Sequence, residues 1–155
     1  MKRSFILWMG VALLLAIGMS SCSSDDDSVG GFGNNDKENF IGTWHLLSSM
    51  GGWSPKVEYS PGEITVTFTR NGEMKVVNKR EGQHPFPTAT YKYSFVDIEN
   101  SIFSGKPETV LSIDNGAPFA EFYRFNFDKE QGMLYLSQEA FDGMGYSLKK
   151  LVPPS

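Results

Sequence analysis

Only a few side chains in this sequence have the chemistry of catalytic groups or metal ligands, and their spacing does not bring them together. The chain contains two histidines, His45 and His84, and one cysteine, Cys22. His45 lies on the outer face of a predicted strand and His84 in a loop near the opposite end, so they are too far apart to share a metal ion. No serine has an evident histidine partner for nucleophilic catalysis. We therefore expect no catalytic residues, no metal, no cofactor and no enzyme activity.

The N-terminus carries the pattern of a secretory signal peptide. Lys2 and Arg3 give it a positive start, and the apolar run from Phe5 to Ile17 is 13 residues long. A helix that spans a bilayer needs about 20 residues, so this run better fits the short apolar core of a signal peptide. We expect residues 1–21 to be the signal peptide. The alternative is a short membrane anchor that is retained.

Cys22 stands alone, so it cannot form a disulfide within the chain. The uses left for a single cysteine in an exported protein are an intermolecular bridge, a reactive thiol or a covalent lipid. The sequence Met19-Ser20-Ser21-Cys22 resembles the lipobox of bacterial lipoproteins, in which cleavage falls before the cysteine and the cysteine is acylated. The resemblance implies that Cys22 is lipidated and that the membrane is a partner, since two or three acyl chains anchor a protein stably.

Residues 22–39 have the composition of a flexible tether. From Ser23 to Glu38 the sequence is rich in Gly, Ser, Asn and Asp and offers almost nothing to bury. The three aspartates at 25–27 could touch a hard cation, but a flexible segment has no preformed cage for one. The stretch SSDDD also resembles the acidic export tag of Bacteroidota-type surface lipoproteins, which implies an outer-membrane protein exposed at the cell surface. The alternative is a plain acidic spacer.

The charge of the chain argues against nucleic acid as a partner. The full sequence has a formal net charge of −4, and removal of residues 1–21 leaves 12 basic and 18 acidic residues. Lysines and arginines form no cluster, whereas binding to duplex nucleic acid needs clustered positive charge that displaces counterions. The 134 residues from Cys22 onward are enough for one domain and a tether.

From Ile41 onward the apolar residues recur every second position, which is the period of β-strands. EITVTFT and NGEMKVV alternate without a break and are joined at Asn71-Gly72, a strong hairpin signal. We count eight strands; the others are IGTWHLLSSM, TATYKYSF, ETVLSID, FAEFYRFNF, GMLYLS and GYSLKKL. Eight antiparallel strands with short connections predict an all-β, closed up-and-down barrel over residues 40–152. A two-sheet β-sandwich is the alternative.

The opening of the first strand resembles that of lipocalin-like barrels. Gly42 and Trp44 in IGTWHLLS match the family's Gly-x-Trp motif, and GGWSP, GEITVTF and NG resemble the small lipocalin-like domains of Bacteroidota-type lipoproteins. The resemblance spans roughly residues 40–151. It implies a barrel whose floor the chain enters at Gly42 and whose closed end is covered by Trp44.

The loops of an up-and-down barrel fall into two sets, one at each end. The loops after the first, third, fifth and seventh predicted strands are GGWSPKVEYSP, EGQHPFP, DNGAP and EAFDGM. This end carries most of the loop aromatics, namely Trp53, Tyr59, Phe86, Phe119 and Phe141. Exposed aromatic rings in loops mark binding surfaces, so we predict that this end is the mouth. The alternative is that the rings fold back and cover the core of the barrel itself.

Strand parity predicts which side chains point into the barrel. They are Trp44, Leu46, Met50, Ile64, Val66, Phe68, Met74, Val76, Tyr91, Tyr93, Phe95, Leu111, Ile113, Tyr123, Phe125, Phe127, Tyr146 and Leu148. The same parity sends Arg80 and Glu121 inward near the mouth. Because a lone buried charge is costly, we favour the alternative in which both reach solvent at the rim.

The predicted mouth and upper barrel supply the candidate ligand-binding residues. They are Met50, Trp53, Tyr59, Arg80, Phe86, Tyr91, Tyr93, Phe119, Glu121, Tyr123 and Phe141. An eight-stranded barrel is wide enough to hold one small ligand, so we expect a small, largely apolar ligand among these side chains. The alternative is a filled barrel whose aromatic loops contact an envelope protein or a glycan.

Overall fold

The computed structural model describes residues 34–82, 84–116, 118 and 120–152, with side chains from Lys37 onward. The predicted signal peptide, the lipidation residue Cys22, most of the predicted tether and the candidate site residue Phe119 lie outside the described residues.

The described chain contains one short helix and nine β-strands. The helix α1 spans Asn34–Phe40. The strands are β1 Gly42–Gly51, β2 Ser54–Glu58, β3 Ile64–Phe68, β4 Glu73–Asn78, β5 Ala89–Ile98, β6 Glu108–Asp114, β7 Glu121–Asp128, β8 Met133–Gln138 and β9 Met144–Lys150.

Eight of the strands close into an antiparallel barrel, as the alternating pattern predicts. From β3 to β9 each strand pairs with the next along the chain. The barrel closes through β1, whose first residues, Gly42 to His45, pair with β3, while the stretch from Trp44 to Gly51 pairs with β9. Because the last strand lies beside the first, the two-sheet sandwich is excluded.

The ninth strand, β2, divides the first mouth loop and was missed by the sequence pattern. It pairs with the upper half of β1, with Ser48 opposite Glu58 and Ser49 opposite Val57. Only the lower residues of β1 pair with β3, so the upper edge of β1 is free to accept another strand. The segment SPKVE is almost entirely exposed and contains a proline, so it shows no alternation that would indicate a strand.

The side chains that point into the barrel are those that the two-residue alternation predicts, except for Met50. Every other residue of the predicted lining is buried or packs against the core, and Leu134 and Leu136 of β8 join it. Met50 is 58% exposed. Between Leu46 and Ser48 the register of β1 against β9 shifts by one residue, so Ser49, opposite Tyr146, turns inward and Met50 turns outward.

The floor of the barrel is closed by Phe40 at the end of α1. The Phe40 ring meets those of Phe68, Phe95 and Phe125 edge-on, with centroids 5.1, 5.2 and 5.3 Å away. Trp44 also lies at this end, fully buried, and its indole N–H donates to the Phe40 carbonyl oxygen at 2.9 Å.

The helix corrects the prediction that the chain is a flexible tether as far as residue 39. Its residues are mostly polar, which is why composition indicated a linker, but Phe40 at its end is buried in the floor. The Lys150 ammonium donates to the Asn39 carbonyl oxygen at 2.8 Å and fastens the end of the helix to β9. Gly42 follows with φ +127°, and a Cβ built there would lie 3.3 Å from Lys150 Cε, so glycine suits this close entry.

Candidate ligand-binding site

A pocket of about 840 Å³ opens at the end of the barrel opposite Phe40 and Trp44. This volume lies within the range typical of small-molecule sites, roughly 300–1,000 Å³. Its walls come from the upper parts of β1, β5, β6, β7, β8 and β9, from the extra strand β2, and from the loop between β4 and β5. The mouth predicted from the loop aromatics is therefore the end that carries a concave site.

The loop between β4 and β5 folds back over the barrel and supplies Phe86. The Phe86 ring is buried, with its centroid 4.9 Å from that of Tyr146 and 6.5 Å from that of Tyr91. Asn78, at the end of β4, holds the loop because its side-chain amide donates to the Phe86 carbonyl oxygen at 2.8 Å. The Asn78 backbone N–H also donates to Thr88 Oγ1 at 2.9 Å. Asn78 thus fixes the ring that forms one wall of the pocket.

A second wall contains Tyr59, which lies between β2 and β3. Its hydroxyl shares a hydrogen bond with Ser49 Oγ at 2.6 Å, and both residues are buried. The guanidinium of Arg80 lies 5.2 Å from the centroid of the Tyr59 ring, and Arg80 Nε is 4.0 Å from Glu63 Oε1. Arg80 is exposed and does not line the pocket, in agreement with the rim position that we favoured.

Glu121, at the start of β7, lines the pocket with its carboxylate. Asn115 Nδ2 donates to Glu121 Oε1 at 3.0 Å, and the hydroxyl of Tyr123 donates to Glu121 Oε2. Glu121 is only partly buried, so it keeps contact with solvent while facing the tyrosines. Glu121 therefore faces the pocket, as strand parity predicts, and also reaches solvent at the rim, as in the alternative that we favoured. Neutral donors offset part of the cost of its burial.

The tyrosines around Glu121 are held in the protonated form. Burial raises the pKa of Tyr123 far above its usual value of 10, and the hydrogen bond to Glu121 raises it further. Burial likewise raises the pKa of Tyr146, with a contribution from the Glu121 carboxylate, and the pKa of Tyr91 rises for the same two reasons. All three phenol groups are therefore neutral near pH 7 and offer hydrogen bonds rather than charge.

The pocket gathers four of the predicted site residues, Tyr59, Phe86, Tyr91 and Glu121. Tyr123 lies just beneath, 1% exposed, with its ring centroid 6.0 Å from that of Tyr146.

Tyr93 was expected in the upper barrel but lies near the floor. Its hydroxyl donates to the Thr69 carbonyl oxygen at 2.7 Å, and its ring centroid is 5.2 Å from that of Phe68. The reason is that β5 pairs with β4 only as far as Lys92, opposite Glu73, so Tyr93 is already level with the turn that joins β3 to β4.

Three of the predicted site residues lie on the outside of the mouth. Trp53 is 100% exposed and Phe141 is 91% exposed, and Met50 points away from the barrel. The two loops that carry the exposed rings lie against each other: Gly51 has φ +135°, and a Cβ built there would lie 2.3 Å from the Gly143 carbonyl oxygen. Glycine permits this approach, which places Trp53 and Phe141 on neighbouring loops of the rim.

Several pocket residues were not selected from the sequence. Ser49 was missed because the bulge in β1 reverses the parity, and Val57 because β2 shows no strand pattern. Asn115 and Gln138 are polar residues next to loops, with nothing in their type or spacing to indicate a site. Tyr146 was predicted to face inward, and this parity was the signal that could have placed it near the mouth.

Comparisons of the chain with protein-family models, with curated proteins and with solved structures found no match. Among the residues that the structure describes, no helix is long and apolar enough to cross a bilayer. Within the same part of the chain, no three His, Cys, Asp or Glu side chains form a group that could hold a metal ion.

Proposed function

We propose that this protein is a binding protein without enzyme activity that holds one small ligand, with a largely apolar body, in the pocket at the mouth of its barrel. The observation that carries the proposal is the pocket of about 840 Å³ walled by the rings of Tyr59, Phe86, Tyr91 and Tyr146. Aromatic and apolar walls with a few polar groups are the common composition of small-molecule sites.

The filled lower barrel supports binding at the mouth. Trp44, Phe68 and Leu111 are at most 1% exposed, and Phe40 closes the floor. A ligand therefore has room only above this packed core, in contact with Ile113 and the tyrosine rings that line the pocket. Its apolar part would cover ring surface that water now contacts, at a gain of about 25 cal/mol for each Å².

We also propose that the barrel is tethered to the outer membrane through a lipid on Cys22, with the mouth facing away from the bilayer. The support for this orientation is that α1 enters the barrel at the floor, opposite the pocket. Cys22 precedes Asn34 by 12 positions. A fully extended chain of that length reaches about 40 Å, so the barrel would stand clear of the membrane surface with its mouth open to ligands.

A fluorescence titration with the neutral apolar dye N-phenyl-1-naphthylamine tests ligand binding, and native mass spectrometry of the protein from its own cells tests whether it carries a ligand. We expect the dye to bind, and its affinity to fall at least severalfold in Phe86→Ala. The matched control is Phe122→Ala, which removes the same ring from an exposed position. Melting curves establish that both variants are folded. The absence of dye binding together with the absence of a carried ligand would contradict the proposal.

A second candidate function rests on the two exposed rings of the rim. Trp53 and Phe141 lie on adjacent loops and are almost entirely open to solvent, and exposed aromatics are typical anchors of protein or glycan contacts. In this reading the rim of the barrel contacts an envelope protein or a glycan. The double variant Trp53→Ala, Phe141→Ala should then lose a partner captured from outer membranes, while the control Tyr135→Ala keeps it. An unchanged set of partners would exclude this reading.

A further inference from the structure

We infer that the ligand of the mouth pocket carries an organic cation, such as a quaternary ammonium or a substituted amine, held among the aromatic rings beside Glu121. This inference rests on the proposed function and adds the chemical class of the ligand.

The charges around the pocket favour a cation. Among the described residues that line it, Glu121 is the only acidic side chain, and none is lysine or arginine. Arg80, which is not among the lining residues, lies over the ring of Tyr59 and faces Glu63. His84 is the other titratable group besides the tyrosines, and it is exposed in the loop. An anionic ligand would find no fixed positive charge, whereas a cation would find a carboxylate.

Glu121 has hydrogen bonds but no ionic partner. Its two oxygens accept from Asn115 and from Tyr123, both of them neutral donors. None of the ion pairs within the described residues includes it. A carboxylate whose hydrogen bonds all come from neutral donors has no counter-ion in the site, and a positive ligand would supply one.

Besides the Glu121 carboxylate, the aromatic rings of the pocket also attract a cation. The face of an aromatic ring attracts a cation within about 6 Å of its centroid, and the attraction is stronger when the site is desolvated. The ring planes of Phe86 and Tyr146 are inclined by 46°, and those of Phe86 and Tyr91 by 67°. All three residues line the pocket, so each contributes part of its aromatic wall. Their apolar surface would also suit the methyl groups of a substituted ammonium.

Two probes of the same shape test the inference directly. The cation (4-hydroxyphenyl)trimethylammonium and the neutral 4-tert-butylphenol differ in charge but not in size. We expect the cation to bind at least about tenfold more tightly, as measured by calorimetry and by NMR shifts of pocket residues. Tighter binding of the neutral probe, or equal binding of the two, would overturn the inference.

Substitutions at Glu121 and Gln138 test whether a carboxylate in the pocket attracts the cation. In Glu121→Gln, the affinity for the cation should fall about tenfold while the affinity for the neutral probe stays the same. Glu130→Gln, in the turn between β7 and β8 at the floor, is the matched control and should change neither. Gln138→Glu adds a second carboxylate to the lining, so it should strengthen binding of the cation. Unchanged cation binding in both Glu121→Gln and Gln138→Glu would contradict the inference.

Different results would contradict the proposed function and the inference of a cationic ligand. If N-phenyl-1-naphthylamine binds in the pocket but the cation does not, the cation inference fails and the proposed function stands. If the dye, the cation and the neutral probe all fail to bind, and the protein from its own cells carries no ligand, both are contradicted.

Discussion

The ring of Phe86 lies against the ring of Tyr146, with 4.9 Å between their centroids, although the two residues are 60 positions apart in the sequence. Phe86 comes from a long loop and Tyr146 from the last strand of the barrel. Their contact brings the loop down onto the core and leaves the pocket beside it. The architecture of the site therefore depends on the groups that hold this loop in place.

The first prediction concerns Asn78, which holds the loop. In Asn78→Ala the Phe86 carbonyl loses its donor, and because Asn78 is buried we expect the free energy of unfolding to fall by about 1–3 kcal/mol. Dye affinity should fall as well, since Phe86 would no longer be fixed. Denaturant titration and dye binding measure the two effects. Asn126→Ala, on an exposed position of β7, is the control. Dye affinity unchanged in Asn78→Ala would contradict this role.

The second prediction concerns the floor. Phe40→Ala removes a ring packed among three others and should lower the free energy of unfolding by about 3–5 kcal/mol. The emission of Trp44 should also shift, because loss of the ring releases the end of α1, whose Phe40 backbone carbonyl accepts the hydrogen bond of the Trp44 indole N–H. Phe122→Ala, on the outer face, should cost much less. Equal losses in the two variants would show that α1 does not close the barrel.

The third prediction concerns alkaline pH. Tyr123 and Tyr146 have pKa values raised well above 10 in the folded protein, so above pH 10 the unfolded chain releases their protons while the folded chain retains them. Stability is therefore unaffected by these groups below pH 10 and falls above it, by about 1.4 kcal/mol per pH unit for each tyrosine. Denaturant titrations between pH 8 and pH 11 measure the slope.

Tyr146→Phe removes one of the two groups and should make that slope shallower. Absorbance at 295 nm gives a second readout, because tyrosinate forms only where the proton is lost. Ionisation of all six tyrosines near pH 10, with the protein still folded, would contradict the prediction.

The fourth prediction concerns membrane attachment. If Cys22 is acylated, the intact mass of the mature protein should exceed that of the chain from Cys22 onward by its acyl chains. Cys22→Ala should then release the protein from the membrane fraction. Ser24→Ala is the control and should leave the protein attached. A mature protein whose mass includes no acyl chains would contradict the proposed lipid anchor.

The barrel itself was predictable because its signal is local. EITVTFT and NGEMKVV alternate over their whole length, and both strands lie where the pattern places them. The exceptions arise from tertiary contacts. One extra residue near Leu47 in β1 turns Met50 outward, and nothing in the amino-acid sequence indicates a β-bulge there. The polar helix α1 is explained by the burial of one ring, Phe40, which composition could not foresee.

The site was predictable only in part, because the pocket is built by a loop and an extra strand. The sequence indicated that aromatic loops meet at one end, which is where the pocket lies. It could not show that Phe86 folds inward while Trp53 and Phe141 remain exposed, since the three rings occur in similar loop contexts. The direction of Glu121 likewise depends on the donors Asn115 and Tyr123, which the fold brings to it.

An NMR titration of the folded protein with N-phenyl-1-naphthylamine shows where on the barrel a small apolar molecule binds. If the ligand occupies the mouth pocket, we expect large, saturable shifts for Phe86, Tyr91 and Tyr146, and small shifts for Phe40 and Trp44 at the floor. Shifts confined to Trp53 and Phe141 on the rim would contradict binding in the pocket, as would the absence of any saturable shift in a protein that carries no ligand of its own.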